Sequence, residues 1–408
     1  MDSTYYSMHY SKYYRTYYKN MKEQKKERKN FLLFTLEYPP FKGGVAHYYF
    51  HLVQNWPEDN IFVLTTKEDN RDNGTEKAII RRPLLTGLTL PRWLPSIFSL
   101  ARTIKNKRIG HILVGQILPL GLPTYICSRW YNIPYSVFLH GMDAHYALSQ
   151  KRKKKAALRI LRGATKVICA NHYVKGVIEE YLDEQSRNKI EVVTPGLYLP
   201  AEKEEGEQKR GEDIRKEYDL EGRFILFSLG RMVKRKGFDT VVEAMEDIIK
   251  EIPNAVYVLA GTGPEEEDLY NKIQQSPTPV RERVLMLGKI NEREKWDWLH
   301  ACDVFIMPSK NIDGDVEGFG IVYLEANKAG KPVIGGKEGG AGEAIQDGET
   351  GLLVNPWDKK EITQAVVDLA QHPDRRKKMG EQGKKRVEEQ FSWEQRGERV
   401  YKIFQDLL

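Results

Sequence analysis

Cysteine is scarce in this chain: three in 408 residues, Cys127, Cys169 and Cys302, set far apart. Three thiols at that spacing give neither a disulfide framework nor a metal-ligand pattern, and they point to a reducing compartment. Long apolar runs are missing too. The longest, around 112–126, is interrupted by Gln116, Pro119, Gly121 and Pro123, and it is too short to span a bilayer. The chain opens without a signal-peptide pattern. The expectation is a cytoplasmic protein, either soluble or peripheral on the inner face of a membrane. A Walker loop and a dinucleotide glycine fingerprint with its downstream acid are both lacking. So are a helix-turn-helix pattern and an aromatic-interleaved RNA signature, which argues against nucleic acid as a partner. Internal repeats and metal-ligand clusters are absent, so no metal is expected.

What is present is ordinary globular material: 40% hydrophobic and 30% charged residues, with a net charge of +7. The length suffices for two domains with full cores. The positive balance suits an anionic lipid surface or a phosphorylated substrate. Residues 1–30 stand apart: Tyr5, Tyr6, Tyr10, Tyr13, Tyr14, Tyr17 and Tyr18 mix with Ser, His and Lys, then a Lys/Glu-rich run follows. A mobile tail and an interfacial segment both fit this composition.

After residue 30, apolar strand-length runs alternate with helical periodicity. Strands are expected at 31–36, 61–65, 112–115, 135–139, 165–170 and 189–193, with helices over 45–56 and 150–162. The segment 81–108 mixes bulky apolar and basic residues and reads as a core-facing helix or as a membrane-surface patch. The basic run 151–155 reads as a solvated face or as a second lipid contact. Residues 202–212 are charged without an apolar side chain, so 201–222 is the expected linker. A second alternating series then begins at 224–229, with a helix over 238–252 and strands at 256–260, 284–287, 303–308, 332–335 and 351–354. The fold class is therefore α/β, two doubly wound domains over 31–200 and 223–390, and an amphipathic terminal segment over 391–408.

Ligands of such sheets bind at the carboxyl ends of strands. Gly43 and Gly44 stand where the first helix begins, where bare backbone N–H groups can approach a phosphate; a plain turn is the simpler reading. His140 follows a strand directly and faces the same edge, or serves the core. In the second half, Arg231 and Lys236 share one strand-to-helix loop. Two cations with a helix N-terminus can neutralise a diphosphate, including the charge that develops as it leaves; a solvated turn is the alternative. The stretch 316–325 holds Glu317 and Glu325, eight apart, about Gly318-Phe319-Gly320. Were it helical throughout, the two carboxylates would lie about 12 Å apart on one broad face, which suits gripping two parts of one elongated ligand. Glu317 with the N–H groups of Phe319 and Gly320 would then hold sugar hydroxyls, and Glu325 a ribose diol.

Taken together, these residues resemble the retaining glycosyltransferases of family 4. The motifs are Gly-Arg-Met-Val-Lys-Arg-Lys-Gly at 230–237, Ala-Gly-Thr-Gly-Pro at 260–264, Leu-Gly at 287–288, Glu317-x7-Glu325 and Gly-Gly-Ala-Gly-Glu at 339–343. The stretch 315–326 resembles that of GDP-mannose-dependent phosphatidylinositol and lipid mannosyltransferases. The resemblance implies a GT-B fold, a nucleotide-sugar donor, transfer with retention and no bound metal or other cofactor. It implies that Arg231 and Lys236 clamp the donor diphosphate, that Glu317 and His140 meet the transferred sugar, and that Glu325 meets the ribose. Lys289 and Ile290 would meet the base through their backbone, Gly44 would approach the diphosphate, and the terminal helix would cross back onto the first domain. Gly342 departs from the pattern, standing where the family usually has proline. The implied function is hexose transfer, mannose from GDP-mannose, to a lipid or glycan acceptor. Segments 81–105 and 151–155 are the candidates for an anionic membrane surface. The competing readings are a UDP-sugar transferase of the same fold and a nucleotide-sugar-binding or lipid-surface protein without catalysis.

Overall fold

The computed structural model describes residues 30–41, 43–67, 79–87, 91–197 and 205–407. The tyrosine-rich segment lies outside them, apart from Asn30. The first domain runs β1 (Asn30–Phe34), α1 (Gly44–Gln54), β2 (Ile61–Thr66), β3 (Ile79–Arg82), α2 (Leu94–Asn106), β4 (Ile109–Val114) and α3 (Gly121–Tyr131). It continues with β5 (Tyr135–Leu139), α4 (Met142–Leu148), α5 (Lys151–Gly163), β6 (Val167–Cys169), α6 (His172–Glu179), α7 (Glu184–Arg187) and β7 (Ile190–Val192). The second domain runs α8 (Glu205–Glu217), β8 (Phe224–Leu229), α9 (Phe238–Glu251), β9 (Ala255–Ala260), α10 (Glu266–Gln275), α11 (Thr278–Arg281), β10 (Val284–Gly288) and α12 (Glu292–Ala301). Then come β11 (Val304–Met307), α13 (Ile321–Lys328), β12 (Val333–Gly336), α14 (Ala341–Ala344), β13 (Gly351–Val354), α15 (Lys359–Gln371), α16 (Pro373–Gln390) and α17 (Trp393–Phe404).

Both sheets are parallel. The first has the order β3-β2-β1-β4-β5-β6-β7 and the second β10-β9-β8-β11-β12-β13. Strand order reverses between β1 and β4, and again between β8 and β11. Loops diverge at such switch points and leave a crevice beyond the strand ends. Strand residues alternate between two cores. Leu32, Ile112 and Val137 pack under α2, α3 and α5, while Phe31, Leu113 and Phe138 pack under α1. In the second sheet Leu226, Tyr257 and Ile306 face α9, and Phe227, Val258 and Phe305 face α12 and α13. Burial on both faces is why these strands read as continuous apolar runs.

One expectation needs correction. Arg81 and Arg82 are not helical: they end edge strand β3, and the helix begins only at Leu94. Within the stretch expected as the linker, Glu205–Glu217 form helix α8. Ion pairs help to hold it: Arg210 pairs with Asp297 at 2.9 Å, and Arg215 pairs with Asp303 at 2.8 Å while donating to the Ala301 carbonyl.

The terminal helix α17 lies on the first domain. Trp393, Val400 and Phe404 share a core with Phe31, Tyr48 and Trp56, and the Phe404 ring is 6.3 Å from Phe31. Among the described residues, no helix is long and apolar enough to cross a membrane.

Candidate active site

The two crevices face each other across a cleft of about 660 Å³. Gly43, Gly44, Tyr48 and His140 line it from the first domain; Arg231, Arg235, Lys236, Glu317, Phe319, Gly320 and Glu325 line it from the second. Of the residues singled out in the sequence, only Lys289 and Ile290 fall outside this lining. They follow β10, with Lys289 exposed and Ile290 packed against the second core.

The cationic loop is built on β8. After Leu229 the chain makes one 3₁₀ turn, Lys234–Lys236, and ends it at Gly237 with φ 74°. A Cβ there would sit 2.2 Å from the Pro308 carbonyl oxygen, so glycine is required on steric grounds as well as conformational ones. This close approach brings Lys236 against the loop that follows β11. Lys236 Nζ donates to Glu317 Oε2 at 2.5 Å, and Arg235 Nη1 donates to the same oxygen at 2.8 Å. Arg235 Nε also pairs with Asp315 at 3.1 Å. Burial pushes the Glu317 carboxyl up, but the Lys236 ammonium and the Arg235 guanidinium outweigh it and hold the group below its usual range. Arg231 lines the cleft exposed, and among the described residues it has no ion pair.

The acidic segment is not helical throughout. Gly320 sits in the left-handed region and α13 starts only at Ile321. Glu317 therefore lies in the loop ahead of the helix and Glu325 on its second turn. Lys295 of α12 donates to Glu325 Oε1 at 2.5 Å and pairs equally closely with Glu292. Burial works against the Lys295 ammonium, but the two carboxylates prevail and raise its pKa.

On the facing wall, His140 Nε2 lies 2.8 Å from Tyr49 Oη. The Tyr49 hydroxyl donates to the Gly115 carbonyl at 2.6 Å, so its oxygen is left to accept from Nε2–H. That assigns the tautomer and leaves Nδ1 as an acceptor. Burial lowers the His140 pKa to about 3, keeping the ring neutral. Asp143 Oδ1 accepts from the backbone N–H groups of His140 and Gly141 at 2.9 and 3.0 Å, and burial raises this carboxyl to about 6. Gly43 is the N-cap of α1, and nothing lies within 4 Å of where a Gly44 Cβ would be, so that helix N-terminus is open to the cleft.

Comparison with known proteins decides the family. Residues 42–199 match the model described as Glycosyltransferase Family 4, and residues 210–386 match the one described as Glycosyl transferases group 1. The chain belongs to the family 4 glycosyltransferases. A similar relative is the GDP-mannose-dependent monoacylated alpha-(1-6)-phosphatidylinositol monomannoside mannosyltransferase of Corynebacterium glutamicum, 27% identical, covering 92% of this chain and 97% of that one. Another is the GDP-mannose-dependent alpha-(1-6)-phosphatidylinositol monomannoside mannosyltransferase of Mycolicibacterium smegmatis, 29% identical over 91% and 97% of the two chains. Among solved structures, Anabaena HepE in complex with UDP superposes with a TM-score of 0.76 at 17% identity, covering 93% of this chain and 100% of that one. The fold is GT-B, and the chain is a glycosyltransferase.

Several residues at this glycosyltransferase's cleft escaped sequence reasoning. Arg235 was hidden within three consecutive cations, a pattern that reads as solvated. Lys295 and Tyr49 reach the site from α12 and α1, neighbours only in space. Asn171 and His172 bridge the domains: Asn171 Nδ2 donates to the Gly318 carbonyl, and His172 N and Nδ1 meet the Glu343 carboxylate at 2.5 and 2.8 Å. The N-cap pattern at Asn171 was legible, but not its second partner.

Proposed function

We propose that this glycosyltransferase moves a mannosyl group from GDP-mannose to a hydroxyl of a lipid or lipid-linked glycan, with retention of configuration and no metal. The observation that carries the reading is the convergence of Lys236 and Arg235 on one carboxylate oxygen of Glu317, with Arg231 alongside in the same cleft. Cations so placed sit where a donor diphosphate would lie against the open N-terminus of α1. Arg231 and Lys236 would neutralise it, most strongly as its bond to the sugar breaks. Glu317 would turn to the sugar hydroxyls, Glu325 to the ribose, and neutral His140 would offer Nδ1 as an acceptor toward the same sugar.

In the proposed step the acceptor oxygen bonds to the anomeric carbon on the face from which the diphosphate departs. The acceptor proton passes to the departing phosphate oxygen. The donor's identity is proposed from the relatives, both mannosyltransferases named for GDP-mannose.

A lipid acceptor has its own support. Phe41, Leu85, Leu94, Phe98 and Tyr146 are all exposed, on segments that follow strands of the first sheet. Arg82 and Arg102 line one groove with Phe98, and Lys153 Nζ lies 3.5 Å from the centre of the Tyr146 ring. Exposed apolar side chains beside cations suit peripheral attachment to an anionic membrane at its cytoplasmic face. The three cysteines are buried and free, in keeping with a reducing compartment. The test is radiolabelled transfer from GDP-mannose and from UDP-glucose to a membrane lipid extract. Incorporation from GDP-mannose alone is expected; incorporation from UDP-glucose alone would replace the donor assignment.

A further inference from the structure

A cavity of about 1010 Å³ opens between α3 and α5. Gly110, near the start of β4, and Tyr135, at the start of β5, line it, so it lies at the opposite end of the strands from the cleft. Its walls carry Arg129 from α3 and Lys155, Arg159 and Arg162 from α5, with no carboxylate in the lining. Among the described residues, Arg162 has one ion-pair partner, Asp183 at 3.4 Å. Among the described residues, Arg129, Lys155 and Arg159 have no ion pair.

Helix energetics make this arrangement costly as it stands. Lys155, Arg159 and Arg162 follow one face of α5 at i, i+4 and i+7, where like charges repel. The helix holds seven cations and no acid, and five of the seven occupy its first five positions, against the helix dipole. Lys153 and Lys154 are drawn onto the rings of Tyr146 and Tyr181 at 3.5 and 3.6 Å, while Lys155 lines the cavity. Neighbouring α2 and α3 also lack Asp and Glu. Ten basic residues thus share the three helices of one face, against a net charge of +7 for the whole chain. The cavity adds nothing negative of its own: the Tyr135 hydroxyl donates to the Ile160 carbonyl at 2.6 Å.

We propose that this cavity is a second anion site, taking a phosphate monoester or pyrophosphate group on Arg129, Lys155, Arg159 and Arg162. Planar guanidinium forks match two oxygens of a tetrahedral oxyanion at once, and several cations match a multiply charged group better than a lone carboxylate. The cavity exceeds a bare phosphate, so the group is borne on a larger molecule, either a phospholipid headgroup or a soluble phosphorylated compound. The site shares no residue with the cleft and stands independently of the transfer reaction.

Calorimetric titration with inorganic pyrophosphate tests it on wild type, on Arg129→Gln/Arg159→Gln and on Lys236→Ala. The edge variant should weaken one class of binding at least about tenfold, as loss of charge-assisted bonds requires. It should melt no lower than wild type, since like-charge repulsion is relieved, and it should keep its transfer rate. Lys236→Ala should leave that class intact, which separates failure of this site from failure of the cleft assignment. Sedimentation with phosphatidylcholine vesicles, with and without phosphatidylinositol phosphate, identifies the source: loss of sedimentation in the edge variant assigns a lipid headgroup, and loss of pyrophosphate binding alone assigns a soluble compound. Unchanged binding in both arms would overturn the proposal.

Discussion

Asn171, fully buried at the edge of the first domain, donates its side-chain amide to the carbonyl oxygen of Gly318 in the second. Its other end, Oδ1, caps α6 by accepting from Val174 N at 2.7 Å. One side chain thus ties a helix start to the Gly318–Phe319 peptide, next to Glu317. The same loop is held from its own domain, where Gly340 N donates to the Glu317 carbonyl at 2.8 Å. The acidic loop is therefore positioned from both sides of the cleft.

Asn171→Asp keeps the cap acceptor and removes the donor, setting a negative charge against a carbonyl. Losing a buried hydrogen bond of this kind costs about 1–3 kcal/mol. If the loop geometry matters in the transition state, kcat should fall roughly tenfold or more, with the donor KM less affected. Steady-state kinetics beside a thermal melt decide it. A lowered melting midpoint with wild-type kcat would show that the bridge is only structural.

Lys236→Ala should damage transfer far more than folding. Arg235 still holds the Glu317 carboxylate, so the stability loss should stay within about 1–3 kcal/mol. Removing a cation with the proposed role at the leaving diphosphate should cost a hundredfold or so in kcat. Rates and urea melts on the same preparation would reveal parallel losses of both, which would count against the clamp role.

The Glu317 cluster has a pH signature. Its carboxyl is depressed in the folded state, so its contribution to stability is complete above the unfolded value, about 4.3. That contribution is lost as pH falls through the lower folded value. The difference in unfolding free energy between wild type and Glu317→Gln should be flat above about pH 5 and shrink in more acid solution. A difference that holds constant through the acid range would mean that the carboxylate is not selectively stabilised.

His140, just after β5, and Asp143, in the first turn of α4, oppose one another. With its folded pKa lowered to about 3, His140 destabilises the fold as pH drops below its unfolded value, because the unfolded chain binds the proton first. Asp143, raised to about 6, does the reverse: the folded state takes up its proton first, so lowering pH through 6 relieves a cost. Asp143→Asn keeps the oxygen that accepts from the two backbone N–H groups and removes this relief. Its stability should decline more steeply than wild type between about pH 6 and 4, by up to about 1.4 kcal/mol per unit. Parallel stability profiles would refute the opposition.

Much of this was legible in the chain itself. Tyr135–Leu139, Phe224–Leu229 and Gly351–Val354 form strands with the bounds expected from their apolar runs. Strands buried on both faces leave few polar interruptions, so their ends are sharp. The loops were marked by glycines and by Arg231, Lys236 and the two spaced glutamates. What stayed hidden depends on distance in space. No local pattern tells that Arg235 turns inward to Glu317 while Lys234 stays exposed. Nor does one place Lys295, thirty residues away, on Glu325. The helical form of 205–217 is hidden in the sequence because its anchors, Arg210 and Arg215, meet Asp297 and Asp303 far along the chain. Basic residues 81 and 82 were drawn into a helix because an edge strand of four residues is too short to show alternation.

The most direct test of the central claim, a diphosphate held by Arg231 and Lys236 beneath a mannosyl group, is thermal unfolding with GDP-mannose, UDP-glucose and UDP-N-acetylglucosamine on wild type and on Arg231→Ala/Lys236→Ala. GDP-mannose should raise the wild-type midpoint, by linkage of binding to folding, more than either UDP-sugar, and the rise should vanish in the double variant. An equal rise in the double variant, or none in wild type, would contradict the account.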